Sequence, residues 1–181
     1  MSKTKFLERF EGSGLNVPDH IWDKCIKSDI TNENVSVLRS NRLTGDHIDK
    51  ILDSNNWYFK LTALRHKNVT TKHLDKALLD ANKHVQSDLT IHKKLTKEHI
   101  SKLISSTDPN IRIRVAGHPN ATTEHLDIAL SDIDPYVRGA AAGNSNINKE
   151  QLTKALDDKN YHVIQTALNN TNYRKLFPAG Y

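Results

Sequence analysis

One cysteine, Cys25, is all the chain has, which excludes an internal disulfide and any zinc or iron-sulfur site built from cysteines alone. No apolar run reaches the ~18 residues of a membrane-spanning helix. The amino terminus, MSKTKFLERFEG, lacks the apolar core of a secretion signal. A cytoplasmic chain with no membrane partner is the expectation. No P-loop, GxSxG, HExxH or dinucleotide glycine pattern occurs, and the seven glycines fall at turns and helix ends, so nothing local marks a catalytic site, a cofactor or a small-molecule substrate. A balance of 36% hydrophobic and 26% charged residues is that of a folded domain.

What the chain does have is self-similarity. The segments LTGDHIDKIL, VTTKHLDKAL, LTKEHISKLI, ATTEHLDIAL and INKEQLTKAL begin at residues 43, 69, 95, 121 and 147, each 26 after the last, and one step back reaches VPDHIWDKCI at Val17. This predicts six copies without insertion or deletion (17–42, 43–68, 69–94, 95–120, 121–146 and 147–172), flanked by an amino-terminal cap over 1–16 and a carboxy-terminal cap over 173–181, as one domain. Trp22, Ile48, Leu74, Ile100, Leu126 and Leu152 share one column; Ile26, Leu52, Leu78, Ile104, Leu130 and Leu156 share another. Columns starting at Val17, Cys25 and Val37 are equally apolar. Chance would make one such six-member column with a probability of about 0.002, so five of them require a structural cause.

Two short helices per copy follow from the spacing. The Trp22, Cys25 and Ile26 columns stand at i, i+3 and i+4, the stripe of a first helix, helix A. It is preceded by Pro18, Thr44, Thr70, Thr96, Thr122 and Asn148, mostly side chains able to accept from first-turn amides. A second, helix B, starts at Asp108-Pro109 and Asp134-Pro135, with Asn56, Asn82 and Asn160 in the same cap column, and stops near Gly117 and Gly143. Helices of about eight residues are marginal alone in water, so each copy must bury its stripe on its neighbours. The fold predicted is all-α, an α-solenoid.

The segments DPNIRIRVAGHPNATTEHLDIAL and DPYVRGAAAGNSNINKEQLTKAL, starting at Asp108 and Asp134, resemble the variant leucine-rich repeat, a bacterial relative of HEAT-like helical repeats. In earlier copies the Val-Arg position of that motif reads Phe59-Lys60 or Val85-Gln86, and the family's usual unit is slightly shorter than 26 residues. The resemblance implies a solenoid that binds macromolecules in a bacterial or bacteriophage setting. Some members hold an iron-sulfur cluster on clustered cysteines, which this chain lacks, so no cofactor is expected. The repeats are also similar to a helical-repeat DNA glycosylase family, but no motif here carries over its catalytic residues.

The ten histidines include pairs seven apart, His66/His73, His92/His99 and His118/His125. Equivalent residues of packed helices stand about 8–10 Å apart. Zinc needs its nitrogens at about 2.1 Å, so such a column cannot converge on one metal ion. His47, His73, His99 and His125 fall in the first turn of helix A, where a polar side chain reaches unpaired amides or the preceding loop.

The loop after helix B offers more. It reads Arg39-Ser40-Asn41-Arg42, Arg65-His66-Lys67-Asn68 and His92-Lys93-Lys94 in the first three copies and is neutral in the last three. Residues 1–94 hold 16 Lys and Arg against 12 Asp and Glu, and residues 95–181 hold 10 against 9, so the excess of +5 divides as +4 and +1. Trp57, beside Lys60, occupies a column outside the core and could anchor a protein or stack on a base. The candidate contact residues are therefore Arg39, Arg42, Trp57, Lys60, Arg65, His66, Lys67, His92, Lys93 and Lys94. A phosphate backbone or an acidic protein surface would suit them, as would simple solvation. The expectation is a non-enzymatic adaptor or regulator that binds another protein, with sequence-tolerant DNA or RNA binding as the alternative.

Overall fold

Thr44, Thr70, Thr96, Thr122 and Asn148 all sit in extended backbone immediately before a helix, and Asn56, Asn82, Asp108, Asp134 and Asn160 do the same for the helices between. These ten starts, with one more near the end, define the fold of a computed structural model that describes residues 43–178 and the isolated positions His20, Asp23, Lys27 and Leu38. The proposed cap over 1–16, most of the copy at 17–42 and Cys25 lie outside the described residues. Among the described residues all regular structure is helical. The helices are α1 (Gly45–Asp53), α2 (Trp57–Leu64), α3 (Thr71–Leu78), α4 (Lys83–Leu89), α5 (Lys97–Leu103), α6 (Pro109–Ala116), α7 (Thr123–Ala129), α8 (Pro135–Ala142), α9 (Lys149–Leu156), α10 (Tyr161–Leu168) and α11 (Tyr173–Leu176).

The chain divides into two compact units, Met1–His92 and Lys93–Tyr181, with the division in the loop between α4 and α5. In the first, α1 packs on α2 and α3, and α4 packs on α2 and α3. In the second, α5 packs on α6, α6 on α7 and α8, α7 on α8, α8 on α9 and α10, and α9 on α10.

Every described member of the five apolar columns is at most 8% exposed, from Leu43 at 0% to Leu78 at 8%. Fully burying a Leu, Ile or Val side chain contributes about 1.5–3 kcal/mol, which is what makes seven- and eight-residue helices stable where their own hydrogen bonds would not.

Asp108 and Asp134 accept from the amides of Asn110 and Tyr136 at 2.9 and 2.8 Å, and Pro109 and Pro135 take the first helical position, where a missing amide leaves nothing unsatisfied. The far ends fall where the glycines stand, but not because the backbone there needs glycine. Gly117 and Gly143 cap α6 and α8 at φ −82° and −83°, in the right-handed region open to any residue, and Arg65 and Asn169 fill the equivalent cap in other copies.

Asparagines bind one copy to the next. Asn144 Nδ2, buried, donates to the carbonyls of Ala116 and His118 at 2.8 and 3.0 Å; Asn170 Nδ2 repeats this on Ala142 and Asn144 at 2.7 and 3.1 Å. Ala116 and Ala142 end α6 and α8, so these bonds occupy carbonyls that the helices themselves cannot use. At the end of the described chain Phe177 is 9% exposed, 5.4 Å from the Tyr173 ring and 5.2 Å from Lys149 Nζ.

Candidate macromolecule-binding surface

Trp57 opens α2 and Arg65 caps its other end. Eight residues of helix rise about 12 Å, so the aromatic and the basic loop at 65–68 belong to opposite edges of the first unit. The remaining candidates divide as well. His66, Lys67 and His92 lie in the first unit and Lys93 and Lys94 in the second, while Arg39 and Arg42 are outside the described residues.

Several candidates are occupied internally. Lys60 Nζ pairs with Asp80, and both side chains are only 13% exposed. The same relation recurs one helix later in other copies: Arg112 Nε and Nη2 hold Asp132 at 2.7 and 3.0 Å, and Arg138 Nε and Nη2 hold Asp158 at 2.7 and 2.9 Å. The hydrogen bonds to these carboxylates hold both guanidinium groups above their ordinary value, against burial. Burial pushes the Asp132 carboxyl up, but the bonds from Arg112 and the Asp134 amide more than offset it. Arg138 draws Asp158 below the usual carboxylate value, again against burial.

Each of these carboxylates also accepts the amide two residues on, at Asn82, Asp134 and Asn160, and so sets the turn that leads into helix B. The pairing had a signal in the sequence: Lys60, Arg112 and Arg138 share one column, and Asp80, Asp132 and Asp158 stand twenty residues after them.

Arg65 reaches Asp88 through Nε at 3.1 Å and through Nη2, and the hydrogen bond and charge of Asp88 raise its pKa further. Its side chain remains 65% exposed against 10% for Asp88. His66 Nδ1 accepts from the Asn68 amide at 3.2 Å, as His118, Asn144 and Asn170 do from Asn120, Asn146 and Asn172, which makes this position a turn-former. Lys67, Lys93 and Lys94 are exposed and His92 half-buried.

The first-turn histidines form capping boxes. The amides of Thr44, Thr70, Thr96 and Thr122 donate to Nδ1 of His47, His73, His99 and His125 at 3.2, 2.9, 3.0 and 3.0 Å. His66 and His73 thus spend one nitrogen each on different backbone amides. Among the described residues no three His, Cys, Asp or Glu side chains come together as metal ligands, and no helix is long and apolar enough to cross a membrane.

In each of the two units, large apolar side chains are exposed where helix B begins. Trp57, 41% exposed, stacks on His84 of the next copy at 5.3 Å, and Tyr136, 61% exposed, stacks on His162 at 5.2 Å. Tyr161 beside His162 is 75% exposed, and Ile133, just before the α8 cap, is 93% exposed. Only Trp57 was singled out from the sequence; Tyr161 stands in the same column, and the columns of Ile133 and Tyr136 mix polar and apolar residues.

Compared with known proteins, the chain matches no protein-family model, no curated protein and no solved structure.

Proposed function

We propose that the chain is a non-enzymatic scaffold that binds another protein, an adaptor or regulator whose 26-residue units stack as one α-solenoid of the variant leucine-rich or HEAT-like kind. The observation that carries this reading lies in the second unit, where Ile133, Tyr136 and Tyr161 are 61–93% exposed at the helix B amino-terminal ends; in the first unit Trp57 is 41% exposed at the same place in its own copy. Buried aromatic anchors dominate protein interfaces, and the Trp57 and Tyr136 rings are pre-positioned against His84 and His162, so less side-chain entropy is lost when they are covered.

The basic loops support a second reading, nucleic-acid binding, since Lys67, Lys93 and Lys94 are exposed. Against it, Lys60 and Arg65 are engaged by Asp80 and Asp88. A phosphate would have to compete with those carboxylates.

The test is affinity capture from native extract, with and without nuclease, using wild type, a W57A/Y136A variant and an R65E/K67E/K93E/K94E variant. A discrete protein that survives nuclease and is lost from W57A/Y136A is the expected result. Material that disappears with nuclease and with the basic variant, and whose affinity falls steeply with salt, transfers the function to nucleic acid.

A further inference from the structure

The tautomer of His125 is fixed from both sides of its ring. On one side the Thr122 amide, which can only donate, points at Nδ1 from 3.0 Å, so Nδ1 carries a lone pair. On the other side Nε2 lies 2.7 Å from Ser101 Oγ of α5, and the Ser101 hydroxyl already donates to the Lys97 carbonyl at 3.0 Å, so the serine oxygen accepts and Nε2 carries the proton. The ring is 5% exposed. A second proton has to enter at Nδ1, where it meets a backbone N–H. The Thr122 hydroxyl oxygen, 3.0 Å from the same nitrogen, could take that proton, yet the amide would still be left facing a donor.

The chain contains its own non-titrating version of this joint. At the equivalent place in α9, Gln151 Oε1 accepts from the Asn148 amide at 3.1 Å, and Gln151 Nε2 donates to Asp127 Oδ1 at 2.8 Å and the Thr123 carbonyl at 2.7 Å. One acceptor toward the helix start and one donor toward the neighbouring copy do the same work with no proton to gain.

His73 is a different case, because its Nε2 faces a carboxylate, Asp49 Oδ1 at 3.8 Å on α1, where His125 faces the Ser101 hydroxyl. Around His125 the charges are Glu98 of α5 and Glu124 of its own helix, both exposed. Burial outweighs their attraction and holds the ring below the ordinary histidine value.

We propose that the Thr122–His125 box is an acid-operated latch: protonation of His125 at Nδ1 turns the acceptor of the Thr122 amide into a donor and breaks the cap of α7, while Nε2 still donates to Ser101. The sign follows from the ring being neutral when folded. The latch holds fully above the free-histidine value of about 6.5 and weakens as pH falls from there through the folded-state value. Over that interval opening rises about tenfold per pH unit and then levels off.

Amide exchange at the start of α7, followed from pH 7.5 to 5 in wild type and H125Q, tests this. Wild type should open increasingly with acid relative to H125Q; parallel pH profiles would overturn the latch. Independently of how the variant folds, the imidazole nitrogen shifts of His125 in the wild-type chain should report the Nε2–H tautomer and a midpoint below that of free histidine. The opposite tautomer, or a midpoint at or above the free value, would also overturn it.

Discussion

Arg138 grips both carboxylate oxygens of Asp158, twenty residues further along, through Nε at 2.7 Å and Nη2 at 2.9 Å, and its remaining nitrogen donates to the Asp132 carbonyl at 2.9 Å. One planar side chain therefore ties α8, the loop before it and the loop before α10. Because 18% and 12% of the two side chains are exposed, the pair is shielded from much of the screening that weakens surface ion pairs.

A double-mutant cycle on R138A and D158A should give a coupling of about 1.5–3 kcal/mol by chemical denaturation. R138K, which keeps the charge without the fork, should lose most of it. A coupling near zero would make the pair incidental.

Acid should abolish this contribution in a defined direction. The Asp158 carboxyl is depressed when folded, so its stabilisation is complete above the ordinary value of 3.8 and is lost as pH falls through the folded value. The stability gap between wild type and R138A, measured at stepped pH, should be constant from neutral to 3.8 and close below it. A gap unchanged at about pH 2 would contradict the assignment.

Lys60 and Lys93 should separate structure from surface. K60A leaves Asp80 without its cation in a site only 13% exposed and should cost about 1–3 kcal/mol, whereas K93E, at an exposed position, should stay within about 0.5 kcal/mol of wild type. Equal thermal shifts for the two would refute the distinction.

Asn144 is 4% exposed and donates to two carbonyls in the copy before it. N144A leaves both unsatisfied and should cost about 1–3 kcal/mol, with faster amide exchange in the loop at 118–121. Thermal unfolding unchanged from wild type would show that solvent replaces the bond at no cost.

Gly139 departs from the expected place of the glycines at turns and helix ends: it lies inside α8, with the His162 ring where a β-carbon would stand, 2.8 Å from Nε2 and 2.9 Å from Cδ2. The free end of an exposed ring moves easily, and alanine improves the helix by about 1 kcal/mol, so G139A should stabilise slightly while shifting the His162 ring resonances away from their Tyr136-stacked position. Destabilisation by more than about 1 kcal/mol would mean that the stack holds the two copies together.

The core and the caps were legible because both obey short rules. The Ile48 and Leu52 columns repeat an apolar side chain every 26 residues, and Thr44 or Asp108 before such a stripe has one economical use, as a helix cap. The first-turn place of the histidines was equally readable, but the nitrogen each one uses was not, since that depends on the angle at which the Thr122 amide meets the ring.

Trp57 and Arg65 are eight residues apart in sequence, yet α2 holds them at its opposite ends. Lys60 looked available because its partner, Asp80, lies beyond a loop and a whole helix. Only the joint pattern of Arg112 with Asp132 and Arg138 with Asp158 gives the pair away. Exposure of Ile133 or Tyr161 depends on how their loops leave the helices, which no single column encodes.

The cross-copy bonds, from Lys60–Asp80 to Asn144–Ala116, link residues 20 to 28 apart. Each closes a chain segment of about one copy, and the entropy of closing a loop grows only with the logarithm of its length. Folding of such a chain meets a series of similar, modest barriers in place of one long-range search. Contacts this local place it with fast-folding helical proteins, able to start at any well-capped pair and spread to the next.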